Sequence, residues 1–397
     1  MGRFVSRLSE SAPAVSLPTN SVLVPPKVTG LQKLIAILML CLVAGLPLLP
    51  APPKKPEIIP GGNRGPILGI HGRMTDEVEQ WKIEKSTDMM VGMGASWLVE
   101  YFPWAYIEPA KGRFDWSHSD MVVDAAASRG LKLIARLDMV PDWARPAGST
   151  SRYLDQDHFA DYADFAAAFA SRYKGRVDDI VVWNEPNLRF EWGYRPVDPA
   201  AYTQLLKTAY LAIKGANPDV SVVAAGLAPT LDTGEWGLDD LDYLQQMYDA
   251  GARPYFDKLA IHGYGWRYPP DDPASPDKVN FARAELVRQV MVRNGDADKM
   301  ALITESGWND DPRWSKAVRP AQRTQYSLRA VDKVAQEWPW VQAIAFWSFR
   351  LPKDAHNYND YFTMVRVDFT PKPIYEAFKD RAEGHAVQTA PQVAGGG

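Results

Sequence analysis

Two stretches constrain this chain more than any others: Val181-Val182-Trp183-Asn184-Glu185-Pro186-Asn187 and, 120 residues further on, Ala301-Leu302-Ile303-Thr304-Glu305-Ser306-Gly307-Trp308. Each is an apolar run that stops at a single glutamate with Trp, Asn or Gly close by. A short apolar run ending in a carboxylate reads as a buried parallel strand that delivers an acid to its carboxyl-terminal edge.

The surrounding sequence alternates in the same way. Eight short apolar runs are expected as strands: 67–71, 96–102, 131–138, 180–184, 220–226, 259–264, 301–304 and 343–348. Helical periodicity fills the intervals. Phe159, Tyr162, Ala166, Phe169 and Tyr173 share one helix face, and 201–214, 241–249, 282–293 and 322–337 read similarly. Strand and helix alternating eight times predicts a (β/α)₈ TIM barrel over residues 66–382. At about 40 residues per unit, Glu185 and Glu305 fall on strands 4 and 7. The carboxyl-terminal face of such a barrel is where active sites are built. Two glutamates converging there are the equipment for glycosidic bond cleavage.

Outside the barrel, residues 1–33 form a basic region and 34–49 an apolar stretch. Residues 50–65 are a Pro/Gly-rich linker, and 383–397 are expected to be a disordered tail. Sixteen apolar residues in a helix span about 24 Å, short of the roughly 30 Å hydrocarbon core, a length that suits a signal-peptide h-region or a short anchor. Arg3, Arg7, Lys27 and Lys33 before it predict a cytoplasmic N-terminus and an exported remainder, secreted or anchored.

Composition narrows the chemistry. The 44 basic and 48 acidic residues are interspersed, so no basic stripe points to nucleic acid. The single cysteine, Cys41, excludes an intrachain disulfide, and six scattered histidines show no metal-binding spacing. No cofactor or metal is expected, and the chain is expected to act as a monomer. Fourteen Trp, 17 Tyr and 14 Phe are a heavy aromatic load: more than half are expected to pack the core, and several to line a groove, where flat sugar faces stack on rings.

At this point the residues resemble the clan A glycoside hydrolases, in which Asn-Glu closes strand 4 and a second Glu closes strand 7. Trp104-x-x-Ile107-Glu108-Pro109-x-x-Gly112-x-Phe114-Asp115-Trp116 is similar to a signature after strand 2 in several clan families. His262-Gly263-Tyr264 and Phe346-Trp347-Ser348 are similar to the strand-6 and strand-8 motifs. Within the clan the chain looks most like family 39, especially single-barrel bacterial endoglycosidases of exopolysaccharide. The β-sandwich domain of that family's β-xylosidases finds no room here.

The resemblance implies a polysaccharide or oligosaccharide substrate, with Glu185 as acid/base and Glu305 as nucleophile. It also implies that Asn184 bonds a sugar hydroxyl, Tyr264 donates to Glu305, His262 lines the same wall and Trp347 forms the floor. Arg136 either tunes an active-site acid or pairs with Asp138, and His71 ends strand 1 within reach of the sugar. Glu108 is expected to cap a turn. Asn187, Trp192, Trp266 and Trp308, on loops beyond the catalytic strands, and Trp104 and Trp143 are expected to flank the subsites. Competing readings are an exo-acting β-glycosidase such as a β-xylosidase and a non-catalytic carbohydrate-binding barrel. A phosphate-binding barrel isomerase would want a Gly-rich anion loop where Ser306-Gly307-Trp308 and Arg350-Leu351-Pro352 stand.

Overall fold

The computed structural model describes residues 67–385; the apolar stretch 34–49, the linker and nearly all of the expected tail lie outside them. Among the described residues, no helix is long and apolar enough to cross a membrane. The eight strands are β1 (Leu68–His71), β2 (Trp97–Pro103), β3 (Lys132–Asp138), β4 (Asp179–Val182), β5 (Ser221–Ala224), β6 (Lys258–Tyr264), β7 (Ala301–Gly307) and β8 (Val341–Phe346). They pair in parallel and in sequence order, and β8 closes on β1. The connecting helices are α1 (Gln80–Gly92), α2 (Ser117–Ser128), α3 (Phe159–Arg172), α4 (Pro199–Ala216), α5 (Asp240–Asp249), α6 (Arg283–Arg293) and α7 (Pro320–Glu337), and α8 (Pro373–Ala382) follows β8. The fold is the (β/α)₈ barrel that the alternation predicts.

Period-two alternation divides the strand residues between two cores. Trp97, Val99, Ile134, Val181, Val223, Ala260, Leu302, Ala343 and Ala345 fill the barrel interior, while their strand neighbours pack outward against the helices. Two helix tyrosines pin the strand ends that frame the site. Tyr162 of α3 donates to the Leu137 carbonyl at 2.8 Å. Tyr202 of α4 donates to the Val182 carbonyl at 2.9 Å and accepts from Ala225 N at 2.7 Å, tying β4 to β5.

Alternation fails on the two strands that carry the glutamates, and at the same height. On β7, Leu302 pairs with Ala260 and Ile303 with Ile261, but His262 pairs with Glu305. The extra residue, Thr304, is a bulge that turns Glu305 inward where strict alternation would have aimed Thr304. On β4, Val181 points inward, yet Trp183 has φ +76° and packs outward on Tyr162 and Trp192. Asn184 is thereby delivered to the interior. This is why β4 ends at Val182 rather than Asn184, and why β7 runs on to Gly307 past the expected end at Thr304.

Several aromatics expected at the groove belong to the framework. Trp308 is 1% exposed, donates its indole N–H to the Tyr268 carbonyl at 2.7 Å and packs on Phe281 and Tyr326. It therefore offers no face to a sugar; the outer side of the β7 edge is apolar, and the ring fills it. Trp104 and Trp192 are equally buried. Trp143 sets its edge against Trp104 and donates to the Glu108 carbonyl at 2.8 Å. Asn187 is buried, clamping the backbones of Ala228 and Leu238. Glu108 caps its turn through Gly112 N at 2.6 Å.

Gly265, just after β6, lies against Trp308, and a Cβ there would sit 2.0–2.2 Å from three atoms of its indole. Gly265→Ala is expected to destabilise the barrel by about 1–3 kcal/mol through overpacking, read as a lower urea midpoint. An unchanged midpoint would mean that the Trp308 seat is not constrained.

Candidate active site

The inward layer above the apolar interior is polar, and its centre is Arg136 on β3. This guanidinium is buried, and its Nη1 donates to Glu305 Oε1 at 2.7 Å and to Asn184 Oδ1 at 2.8 Å. Its Nε lies 3.1 Å from Asp138 Oδ2. The two alternatives open at the sequence level, tuning an acid or pairing with Asp138, are thus both realised by one side chain. Burying a cation so deeply is tolerable only because two carboxylates compensate it.

Glu305 receives a donor on each oxygen. Arg136 holds Oε1, and the Tyr264 hydroxyl donates to Oε2 at 2.8 Å. Burial alone would raise the Glu305 pKa, but the charges of His262 and Arg136, with His71 and the Tyr264 hydroxyl, outweigh it and hold the carboxyl well below the ordinary range. Tyr264 is pushed the other way, by burial and by Glu305 and Glu185, so it stays a protonated donor.

Glu185 follows β4 at φ +41°, a left-handed conformation that costs a non-glycine residue free energy and is found at sites where the surroundings impose it. Here the Glu185 N–H donates to the Gly226 carbonyl at 3.0 Å. Its Oε1 meets His262 Nδ1 at 2.7 Å. His262 gets that close because residue 226 is glycine: a Cβ there would lie 2.4 Å from the imidazole. One carboxylate oxygen of Glu185, one of Glu305 and a His262 nitrogen lie within 4.8 Å of one another. Such a trio can span a metal ion, but its donors are already matched: Arg136 and Tyr264 occupy Glu305, and His262 bonds Glu185.

The two histidines are pushed in opposite directions. Burial disfavours the His262 cation, but Glu305 and the hydrogen bond and charge of Glu185 outweigh it, so its pKa is raised. His71, also buried, is pushed well down by desolvation and by Arg136. Its Nε2 lies 4.0 Å from Glu305 Oε1, and neither ring nitrogen has a hydrogen-bond partner among the described residues. Trp347, half-buried at the β8 edge, donates its N–H to the Ser306 carbonyl at 3.0 Å and sets its ring against Phe362.

Sequence reasoning missed an outer chain of charge. Arg152 Nη1 lies 2.8 Å from Asp138 Oδ2, and its Nε lies 3.2 Å from Glu191 Oε2. Burial raises Glu191 to about 7, with Arg152 opposing and Glu185 adding to the rise. Alternating charges thus run from Glu305 through Arg136, Asp138 and Arg152 to Glu191, beside Glu185. No sequence spacing connects these residues; only the barrel brings their loops together.

With this geometry in view, the comparisons can be read. A family model described as beta-galactosidase matches residues 75–159. No curated protein matches the sequence. Among solved structures, a family 39 glycoside hydrolase from Bacteroides cellulosilyticus superposes with a TM-score of 0.65 at 22% identity, over 80% of this chain and 64% of that one. This chain thus spans less than two thirds of that enzyme's length. A family 39 β-xylosidase from Caulobacter crescentus gives 0.56 at 20% identity, covering 81% and 73%. A family 5 enzyme from Streptomyces cattleya gives 0.62 at 15% identity, covering 80% of each. The fold is one that this chain shares with these glycoside hydrolases.

Opposite pKa directions make a prediction. A raised folded-state pKa means that His262 protonation supports the fold fully below the unfolded value of about 6.5 and is lost as pH rises through the folded value. For Glu305, lowered on folding, the contribution is present above about pH 4.3 and is lost as pH falls through the folded value. Imidazole nitrogen shifts recorded by NMR at pH 6.5 are therefore expected to show His262 mainly protonated and His71 neutral. The reverse pattern would contradict the charge layout.

Proposed function

We propose that this protein is a retaining glycoside hydrolase that cleaves β-linked polysaccharide internally, with Glu305 as nucleophile and Glu185 as acid/base. The observation that carries the reading is the short separation of the two carboxylates, at most 4.8 Å between one oxygen of each. Retention needs about 5–5.5 Å between the carboxyls, whereas inversion needs about 6.5–9.5 Å to admit a water. Their surroundings support the division of labour. Glu305, held ionised by Arg136 and Tyr264, is equipped to attack the anomeric carbon, with expulsion of the leaving oxygen as it takes a proton from Glu185. Glu185, bonded to His262, is placed to give that proton and then to take one from the water that hydrolyses the glycosyl ester. Asn184 has its carbonyl oxygen taken by Arg136, which turns its amide NH₂ toward a substrate hydroxyl. Neutral His71 is a further hydrogen-bonding partner for the sugar, and Trp347 is placed as a floor.

Against a panel of β-linked polysaccharides and activated aryl glycosides, Glu185→Ala is expected to lose about 10²–10⁴-fold on unactivated bonds. It should still release a good phenol, with azide restoring turnover as the β-azide. Glu305→Ala is expected to be nearly inactive on every substrate, because no glycosyl ester forms. Proton NMR of the first product is the decisive reading: an initial α-anomer from a β-linked substrate would mean inversion and would overturn these roles.

The basic residues Arg3, Arg7, Lys27 and Lys33 ahead of the apolar stretch 34–49 also support an extracytoplasmic barrel acting on external polysaccharide. An oxidation-sensitive reporter fused after Gly397 is expected to report the oxidising side; a cytosolic signal would reject that location.

A further inference from the structure

One feature outside the catalytic layer begins at the nucleophile. Tyr264, whose hydroxyl bonds Glu305, stacks on Trp266 with ring centres 5.5 Å apart and 21° between planes. Trp266 meets Trp314 edge to face at 5.3 Å, and Trp314 stacks on Tyr358 at 5.0 Å and 17°. These rings come from the segments that follow β6, β7 and β8, so the array runs along the carboxyl-terminal rim of the barrel. Phe362, buried beneath it, touches Tyr264, Trp314 and Trp347 and braces the array from below. The Asn309 amide donates to the Tyr358 carbonyl at 2.7 Å, and the Asn357 side chain caps the short helix that carries Tyr358. The outermost ring is therefore held in place, yet Tyr358 remains 44% exposed.

The inner rings are partly covered. Trp266 has Tyr264 against it and the Lys316 ammonium 4.4 Å from its ring centre. Trp314 lies between Trp266 and Tyr358. The uncommitted surface is the outer face of Tyr358. A fixed, exposed aromatic face at the end of a ring array that starts at Tyr264 has the character of a binding platform.

We propose that Tyr358, backed by Trp314, is a distal sugar subsite: it stacks the apolar C–H face of a pyranose ring of the same chain, more than one residue from the scissile bond. This rests on the polysaccharide reading above and names where the chain leaves the catalytic centre. A pyranose presents axial C–H bonds on one face, and a rigid ring receives them with little conformational entropy lost. The array's bonded link to Glu305 fixes the register between the platform and the reacting sugar.

The test uses a Glu185→Gln background in the full chain, so that binding is read without turnover. Cello-, manno- and xylo-oligosaccharide ladders are titrated by calorimetry, with the same ladders against Glu185→Gln/Tyr358→Ala and Glu185→Gln/Tyr358→Phe. Affinity is expected to step up about ten-fold at the length that first reaches the platform. Tyr358→Ala should remove that step and leave shorter oligosaccharides unchanged, while Tyr358→Phe keeps it, since the ring and not the hydroxyl does the stacking. A ladder without a step, or a step that survives Tyr358→Ala, overturns the proposal. Turnover of an activated aryl glycoside by the Tyr358→Ala single variant is read in parallel. If wild type turns over the aryl glycoside while the Glu185→Gln background shows no step, only the platform fails; if wild type turns over nothing while that background shows the step, the hydrolase reading fails and the platform stands.

Discussion

The buried ion pair between Arg136 and Glu305 is the interaction on which the rest of the site depends. A carboxylate that attacks carbon must be ionised, and burial opposes ionisation. Arg136 reverses that balance from 2.7 Å, together with the charge on His262 and the Tyr264 hydroxyl. The same guanidinium would be costly without Asp138 at its other edge. Asp138 in turn ties Arg152 and Glu191 to the network. The charge on Glu305 is therefore a property of strands β3, β6 and β7 together, and one substitution at Arg136 would leave the buried Glu305 and Asp138 carboxylates without that cation.

Glu185 is held by a different device. Its backbone sits in a left-handed conformation, restrained by the Gly226 carbonyl and by the His262 contact, which exists because residue 226 lacks a side chain. The two side chains differ little in exposure, 16% for Glu185 and 10% for Glu305, and what separates them is their partners: His262 on Glu185, Arg136 and Tyr264 on Glu305. Under the proposed double displacement, the first would exchange protons with the leaving group and with water, and the second would keep its charge.

The aromatic residues divide by location in a way that composition alone could not reveal. Trp104, Trp192 and Trp308 are buried framework, and Gly265 is small because the Trp308 indole lies against it. Trp266, Trp314 and Tyr358 form an array along the rim instead. All follow strands in the sequence, and whether each packs under the loops or along the rim decides its role.

The barrel was legible in the sequence because burial on both faces demands apolar runs, crossover helices demand a 3.6-residue period, and the two signals alternate along the chain. Both glutamates were legible because a carboxylate ending an apolar run has few structural uses, and the Tyr264 donation to Glu305 followed from resemblance. Inward aim was not legible. On β7 a one-residue bulge at Thr304 turns Glu305 inward, and on β4 the left-handed turn at Trp183 does the same for Asn184. A simple two-residue alternation would have sent Thr304 and Trp183 inward instead. The Arg152–Glu191 link and the ring array were invisible for a related reason: each joins loops that are far apart in sequence and adjacent only at the closed barrel's rim. Sequence by itself determined which side chains stand at the carboxyl-terminal edge of the barrel, since that is set by side-chain type and strand order. Tertiary structure alone decided which way they face and what they touch, because orientation depends on local register and positive-φ residues that carry no compositional signal.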